Sequence, residues 1–288
     1  MVLRARQRHR DFVSTTIKEN TVYAPEKPRT ASHNGRLWGE RADDWANIQE
    51  GQFKAAYDAV FDACNVGAGT RYCDVGCGAG MAALMAHQRG AMVAGLDASD
   101  NLLAIARTRV PQADMRAGDL EELPFPDGSF DLVTGFNSFQ YAGNPVVALA
   151  EAKRVAKPVS GRVVIMTWGP PEGMEAAALV AALKPLLPPS PPGAPGPFAL
   201  SDELALRSFA ESAGLRFLQV ADVACHWHYP DLQTAVRGLC SSGVAIRAAE
   251  HSGEKALNEA TAAALAPFRA KDGTFLMAAS FRWLLAAS

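Results

Sequence analysis

No run of about eighteen apolar residues occurs in the chain, so no membrane-spanning helix is predicted. Paired cysteines are missing as well. Cys64, Cys73, Cys77, Cys225 and Cys240 form an odd set without a CxxC pair, which fits a reducing compartment and predicts a cytoplasmic protein rather than a disulfide framework. Metal-binding spacings such as H-x-x-E-H or a facial triad are absent, and no metal site is predicted. The charge also excludes a partner class. Residues 1–36 hold eight Lys/Arg against three Asp/Glu, a balance of +5, so the remainder carries -7 of the formal net charge of -2. Such a body lacks the positive field a nucleic-acid partner requires. Disorder is excluded by a composition 49% hydrophobic and 20% charged, and 288 residues permit one large α/β domain or a domain with an insertion.

What is present centres on Tyr72-Cys73-Asp74-Val75-Gly76-Cys77-Gly78-Ala79-Gly80, where an apolar strand runs through a glycine-rich turn into a helix. Glycine lets a ligand approach the backbone, and amides at a helix start attract negative charge. The spacing is Gly-x-Gly-x-Gly rather than the dinucleotide G-x-G-x-x-G, and Asp74 precedes it. A carboxylate there suits a cationic ligand better than a pyrophosphate. The stretch resembles motif I of the class I S-adenosylmethionine-dependent methyltransferases, close to LDVGCGTG. Cys73 and Cys77 flank the turn as small packing residues.

Further along, Ala91–Asp97 reads as a buried parallel strand ending in an acid, a little over twenty residues after Asp74. At that distance an acid meets ribose hydroxyls in doubly wound folds; capping of the helix from Asp100 is the competing role for Asp97. The segment Ala113–Leu120 resembles the family's acidic loop, which implies that Asp119 and the Leu120 amide read adenine. Leu123-Pro124-Phe125-Pro126-Asp127-Gly128-Ser129-Phe130-Asp131 resembles a phrase of the small-molecule branch called methyltransferase type 11. Strands are predicted at Leu132–Phe136 and Val163–Trp168, with a helix from Pro145 to Ala156 between them. Asn137, Gln140 and Tyr141 follow the fourth strand, at the ligand end of an open sheet.

Before the turn, Leu37–Cys64 shows helical periodicity, with Trp38 and Trp45 as candidates to face a ligand. Residues 1–36 are expected to be a basic, mobile extension. After it, 37–288 is expected to be one domain, with a cofactor core at about 65–168 and an acceptor wall and lid at about 169–200 and 229–272. His226 and His228 alternate on a strand end, so their side chains share one face, structural or available as a general base. The closing Asp272-Gly273-Thr274-Phe275 stretch resembles the family's last strand.

The resemblance implies a Rossmann-like α/β fold with a seven-stranded, mostly parallel sheet, an antiparallel last strand, flanking helices and a helical lid insertion. It implies methyl transfer from S-adenosylmethionine, yielding S-adenosylhomocysteine, to a small-molecule acceptor of secondary metabolism, on O, N or C with O slightly favoured. Asp74, Gly76, Cys77, Gly78, Gly80, Asp97, Ala98, Asp119, Leu120 and Asn137 are the cofactor-binding candidates. Tyr141, His226 and His228 are the catalytic ones. A monomer or homodimer is expected. The alternative is a protein that binds the same cofactor without methylating, as a cyclase or a non-catalytic partner.

Overall fold

Apolar runs buried on both faces pair side by side, because each strand must satisfy its backbone groups while keeping its side chains from water. A computed structural model describes residues 29–190 and 196–288. Helices come first: α1 (Ala31–Gly39) and α2 (Ala42–Asp44), the latter continuing through a wide turn at Trp45–Gln49 and a tight one at Glu50–Phe53 into α3 (Lys54–Ala63). An alternating unit follows, with β1 (Arg71–Val75), α4 (Met81–Gln88), β2 (Met92–Asp97), α5 (Asp100–Arg109), β3 (Asp114–Ala117), β4 (Leu132–Phe136), α6 (Pro145–Val155) and β5 (Arg162–Trp168). Then come α7 (Ala177–Leu183), α8 (Glu203–Ser212), β6 (Arg216–Tyr229), α9 (Leu232–Leu239), α10 (Gly243–Ser252), α11 (Glu254–Leu265) and β7 (Phe275–Ala287).

The seven strands lie in the order β3-β2-β1-β4-β5-β7-β6. Strands β1 to β5 pair in parallel, and β7 runs antiparallel to both β5 and β6. The expected Rossmann-like architecture is therefore present. Side-chain alternation splits the core in two. Tyr72, Leu132, Val164 and Met166 face α3 and α4, whereas Val75, Val133, Val163 and Ile165 face α6 and α8. Each fully buried side chain of this kind contributes about 1.5–3 kcal/mol relative to exposure.

Helix starts follow the side chains that can accept from an orphan amide. Ser99 accepts from the Leu102 amide at 3.3 Å, Asn144 from Val147 at 3.5 Å, Asp202 from Ala205 at 2.9 Å and Asp231 from Thr234 at 2.7 Å. None of the described helices is long and apolar enough to cross a membrane.

Two features depart from the sequence expectation. Helix α1 begins at Ala31, inside the segment expected as an extension; residues 1–28 lie outside the described residues. Its sequence, Ala-Ser-His-Asn-Gly-Arg, has weak helix propensity, so docking holds it. A Cβ on Gly35 would stand 2.2 Å from the Ala98 carbonyl oxygen, and one on Gly39 would stand 2.4 Å from Ser99 Oγ. Secondly, the insertion between β6 and β7 packs behind the N-terminal helices. The Gly238 backbone lies against Ile48, and Gly243 lies against Trp38.

In the turn before β5, Val159 has φ 70° and is 87% exposed. A β-branched residue in the left-handed region costs roughly 1–2 kcal/mol, and nothing packs on it in return. Val159→Gly is expected to raise stability by about 1 kcal/mol in denaturant titration, part of the relief being offset by glycine's greater unfolded-state freedom; a loss of stability would show the turn to be unstrained.

Candidate functional site

The order of the strands reverses between β1 and β4, and open α/β sheets bind ligands at the carboxyl ends of strands at such a switch point. The glycine turn occupies it. Gly76 (φ 80°) approaches the loop after β4 so closely that a Cβ would stand 2.5 Å from Ser138 Cβ. Ser138 Oγ in turn donates to the Val75 carbonyl at 2.6 Å. Above the strand ends, beside this close approach, lies a cavity open to solvent on one side.

Eight of the residues singled out from sequence line it: Gly76 and Gly78 after β1, Asp97 and Ala98 after β2, Asp119 and Leu120 after β3, and Asn137 and Tyr141 after β4. Trp38 and Trp45 line it too. Asp97 Oδ2 accepts from the Gly78 amide at 2.8 Å and Oδ1 from the Ser99 amide at 2.9 Å. Ser99, not Asp97, caps α5. Burial raises the Asp97 pKa, and the amides of Ser99 and Gly78 oppose that rise. Asp119 Oδ1 accepts from the Glu121 amide at 2.9 Å. Asn137 adopts φ 57°, a conformation its short amide side chain tolerates, and its side-chain oxygen accepts from Gln140.

Other candidates lie elsewhere. Asp74 sits beneath the wall, 2% exposed, accepting from Thr134 Oγ1 at 3.0 Å; Thr134 also pairs with the Tyr72 hydroxyl at 2.7 Å. Gly80 (φ 82°) faces helix α5, where a Cβ would stand 2.9 Å from Ala106 Cβ, so it serves helix packing. Cys77 is buried against Gly95. His226 and His228 are exposed on β6, while Cys225, Trp227 and Tyr229 occupy its buried face. Period-2 alternation therefore turns both histidines away from the cavity. No residue of the expected acceptor wall and lid, 169–200 and 229–272, lines the cavity among the described residues. The N-terminal segment takes that place.

Sequence reasoning missed how this segment is held. Thr30 Oγ1 and Asn34 Nδ2 both donate to the Tyr141 carbonyl, at 2.7 and 2.8 Å, which ties α1 to the loop after β4. Glu50, 3% exposed, pairs with Arg109 and accepts from the Met81 amide at 3.4 Å. Arg109 also donates to the carbonyls of Ala79 at 2.9 Å and Ala46 at 2.6 Å, clamping the segment onto the glycine turn. A Cβ on Gly78 would stand 3.2 Å from Glu50 Oε1.

The electrostatics are one-sided. Burial pushes Asp74 up to about 7, Thr134 opposes this, and the charges of Glu50 and Asp97 add to it. Burial likewise pushes Glu50 up to about 7 and outweighs the attraction of Arg109. Burial pushes Tyr141 up to about 12. Among the described residues, no Lys, Arg or His lines the cavity. A cavity of this kind accepts positive charge and hydroxyl donors.

Residues 73–165 match the family model described as a methyltransferase domain, Methyltransf_11. A demethylmenaquinone methyltransferase of Renibacterium salmoninarum is 36% identical over 43% of this chain and 52% of its own length. The 27-O-demethylrifamycin SV methyltransferase of Amycolatopsis mediterranei is 31% identical over 50% of this chain and 58% of its own. The chain thus spans about half the length of these relatives. Among solved structures, the cyclase SpnF shares the fold, with a TM-score of 0.50 at 20% identity over 80% of this chain and 78% of that one.

The raised acids set a pH dependence. A carboxyl whose folded pKa lies above its unfolded value of about 4 stabilises the fold below that value, and the contribution is lost as pH rises through about 7. The ligand-free protein is expected to melt several degrees lower at pH 8 than at pH 5.5, and Asp74→Asn to flatten that slope. Equal slopes in the two proteins would remove Asp74 from the account.

Proposed function

We propose that this chain, whose residues 73–165 carry a methyltransferase domain of the class I type 11 branch, transfers a methyl group from S-adenosylmethionine to a small-molecule acceptor. The observation that carries the proposal is the set of carboxylates around the glycine turn, buried Glu50 and Asp74 and half-buried Asp97, beside a cavity that no cation lines among the described residues. Such a set fits a nucleoside whose amino-acid arm presents an ammonium group. When bound, S-adenosylmethionine would supply a methyl on a sulfonium, open to an acceptor's lone pair with the departing bond pair left on sulfur.

The chain's own residues bind and orient. Each Asp97 oxygen retains acceptor capacity beyond its one amide contact, which suits two ribose hydroxyls. Among the described residues, Asp119 Oδ2 and the Leu120 amide have no partner, and together they offer the acceptor and donor that an adenine edge requires. Gly76 and Gly78 bring backbone to the cavity floor. Asp74, whose pKa burial raises to about 7, acts from beneath and ionises toward the ammonium of the amino-acid arm. Tyr141, neutral at working pH, donates a hydrogen bond rather than taking a proton. Rate enhancement then comes from alignment and from water exclusion by the capping segment. The names of the two relatives support a small-molecule acceptor. His226 and His228 have no role in this scheme.

Incubation with cofactor labelled in its methyl group and a pool of small metabolites is expected to move label into a product. Tight cofactor binding with no label transferred would favour a cyclase or a non-catalytic partner instead. Asp97→Ala is expected to weaken S-adenosylhomocysteine binding by more than about 1 kcal/mol in calorimetry, the scale of hydrogen bonds to a charged group; an unchanged affinity would take Asp97 out of the site.

A further inference from the structure

We infer that the acceptor is an uncharged aromatic hydroxy compound, seated between Phe53, Tyr57, Phe136 and Met166 with the Tyr57 hydroxyl on its own hydroxyl; this rests on the methyl-transfer reading of the same cavity. The cavity has two chemically distinct ends. Asp97 and Asp119 follow β2 and β3, on one side of the switch point. Phe53 packs on Trp227 of β6 and Phe281 of β7, with centroids 5.8 and 5.1 Å away, and Met166 lies in β5, so the apolar end is on the other side.

That end is built of rings. Tyr57 stands edge-on to Phe136, centroids 4.7 Å apart, and Phe53 lies 5.9 Å from Trp45 at an interplanar angle of 33°. Offset and edge-to-face contacts with a further ring are favourable by about 0.5–1.5 kcal/mol beyond burial. Among the described residues no Lys, Arg or His lines the cavity to hold a carboxylate or phosphate, and the acids at the opposite end repel one. An acidic acceptor would therefore enter with its charge unpaired.

The Tyr57 hydroxyl supplies the polar contact. It has no hydrogen-bond partner among the described residues, although the residue is 7% exposed. The single fully enclosed side-chain polar atom left without a partner among the described residues is Trp227 Nε1. The Tyr57 oxygen is not fully enclosed in that way, and Tyr57 lines the cavity. Burial, with Glu50 and Asp74 nearby, keeps the phenol protonated. It is a positioning residue that orients the acceptor oxygen and exchanges no proton.

Three probes on the same bicyclic skeleton separate the possibilities: 2-naphthol, the anionic 6-hydroxy-2-naphthoate and the saturated 2-decalol. They are titrated by calorimetry into protein saturated with S-adenosylhomocysteine. The expected result is 2-naphthol binding at least about tenfold more tightly than either of the others, the equivalent of one lost favourable contact. Tyr57→Phe is expected to weaken 2-naphthol by about tenfold and leave S-adenosylhomocysteine affinity unchanged. Equal or tighter binding of the naphthoate, equal binding of the decalol, or no binding of any probe to the cofactor-loaded protein would overturn the acceptor assignment. An unchanged 2-naphthol affinity in the Tyr57 variant would overturn the role of that hydroxyl. Failure of S-adenosylhomocysteine itself to bind would overturn the methyl-transfer proposal, and the acceptor assignment with it.

Discussion

Negative charge is buried at the glycine turn faster than the protein supplies positive charge to meet it. Glu50 and Asp74 are both held near a pKa of about 7, and Asp97 is raised as well, while Arg109 is committed to Glu50 and two carbonyls. Burial of carboxylates is costly unless they are paired or protonated. A protein that keeps such an arrangement gains most when a cation arrives, because a ligand that binds the folded state alone stabilises it. The sheet topology, the capping segment and the choice of glycine all serve this one corner.

The same corner links the N-terminal segment to the core. Arg109 joins Glu50 to the carbonyls of Ala46 and Ala79, so one guanidinium spans the cap and the turn. Helix α1 adds a second attachment through the Tyr141 carbonyl and a third through the close approach of Gly35 to Ala98. The residues nearest the ligand's two ends are thereby fixed by the segment that covers them. The insertion between β6 and β7, through Gly238 and Gly243, supports this cover from outside.

Much of this was legible in the sequence where burial is continuous and the turn chemistry is specific. β1, β2, β4 and β5 read as strands because parallel strands covered on both faces give unbroken apolar runs. Asp97 was placed by its position at a strand end, and Asp119 by the resemblance of its loop to the family's acidic segment. Helix α1 was not legible, since Ser32, Asn34 and Gly35 give no apolar period and are held by tertiary contacts. The Glu50–Arg109 pair joins positions far apart in the chain, which no local pattern reveals. The orientation of His226 and His228 was available in principle: Cys225, Trp227 and Tyr229 alternate with them and claim the buried face. The left-handed Asn137 carries no sequence signal beyond the tolerance of asparagine for that conformation.

Proton bookkeeping on ligand binding probes the central claim directly. S-adenosylhomocysteine is titrated by calorimetry at pH 7 in two buffers of differing ionisation enthalpy, which yields the number of protons exchanged. If the ammonium of the arm draws the raised carboxyl of Asp74 into its ionised form, protons are released to the buffer on binding. Net proton uptake, or no exchange, would contradict the account of a carboxylate cluster completed by the ligand's ammonium.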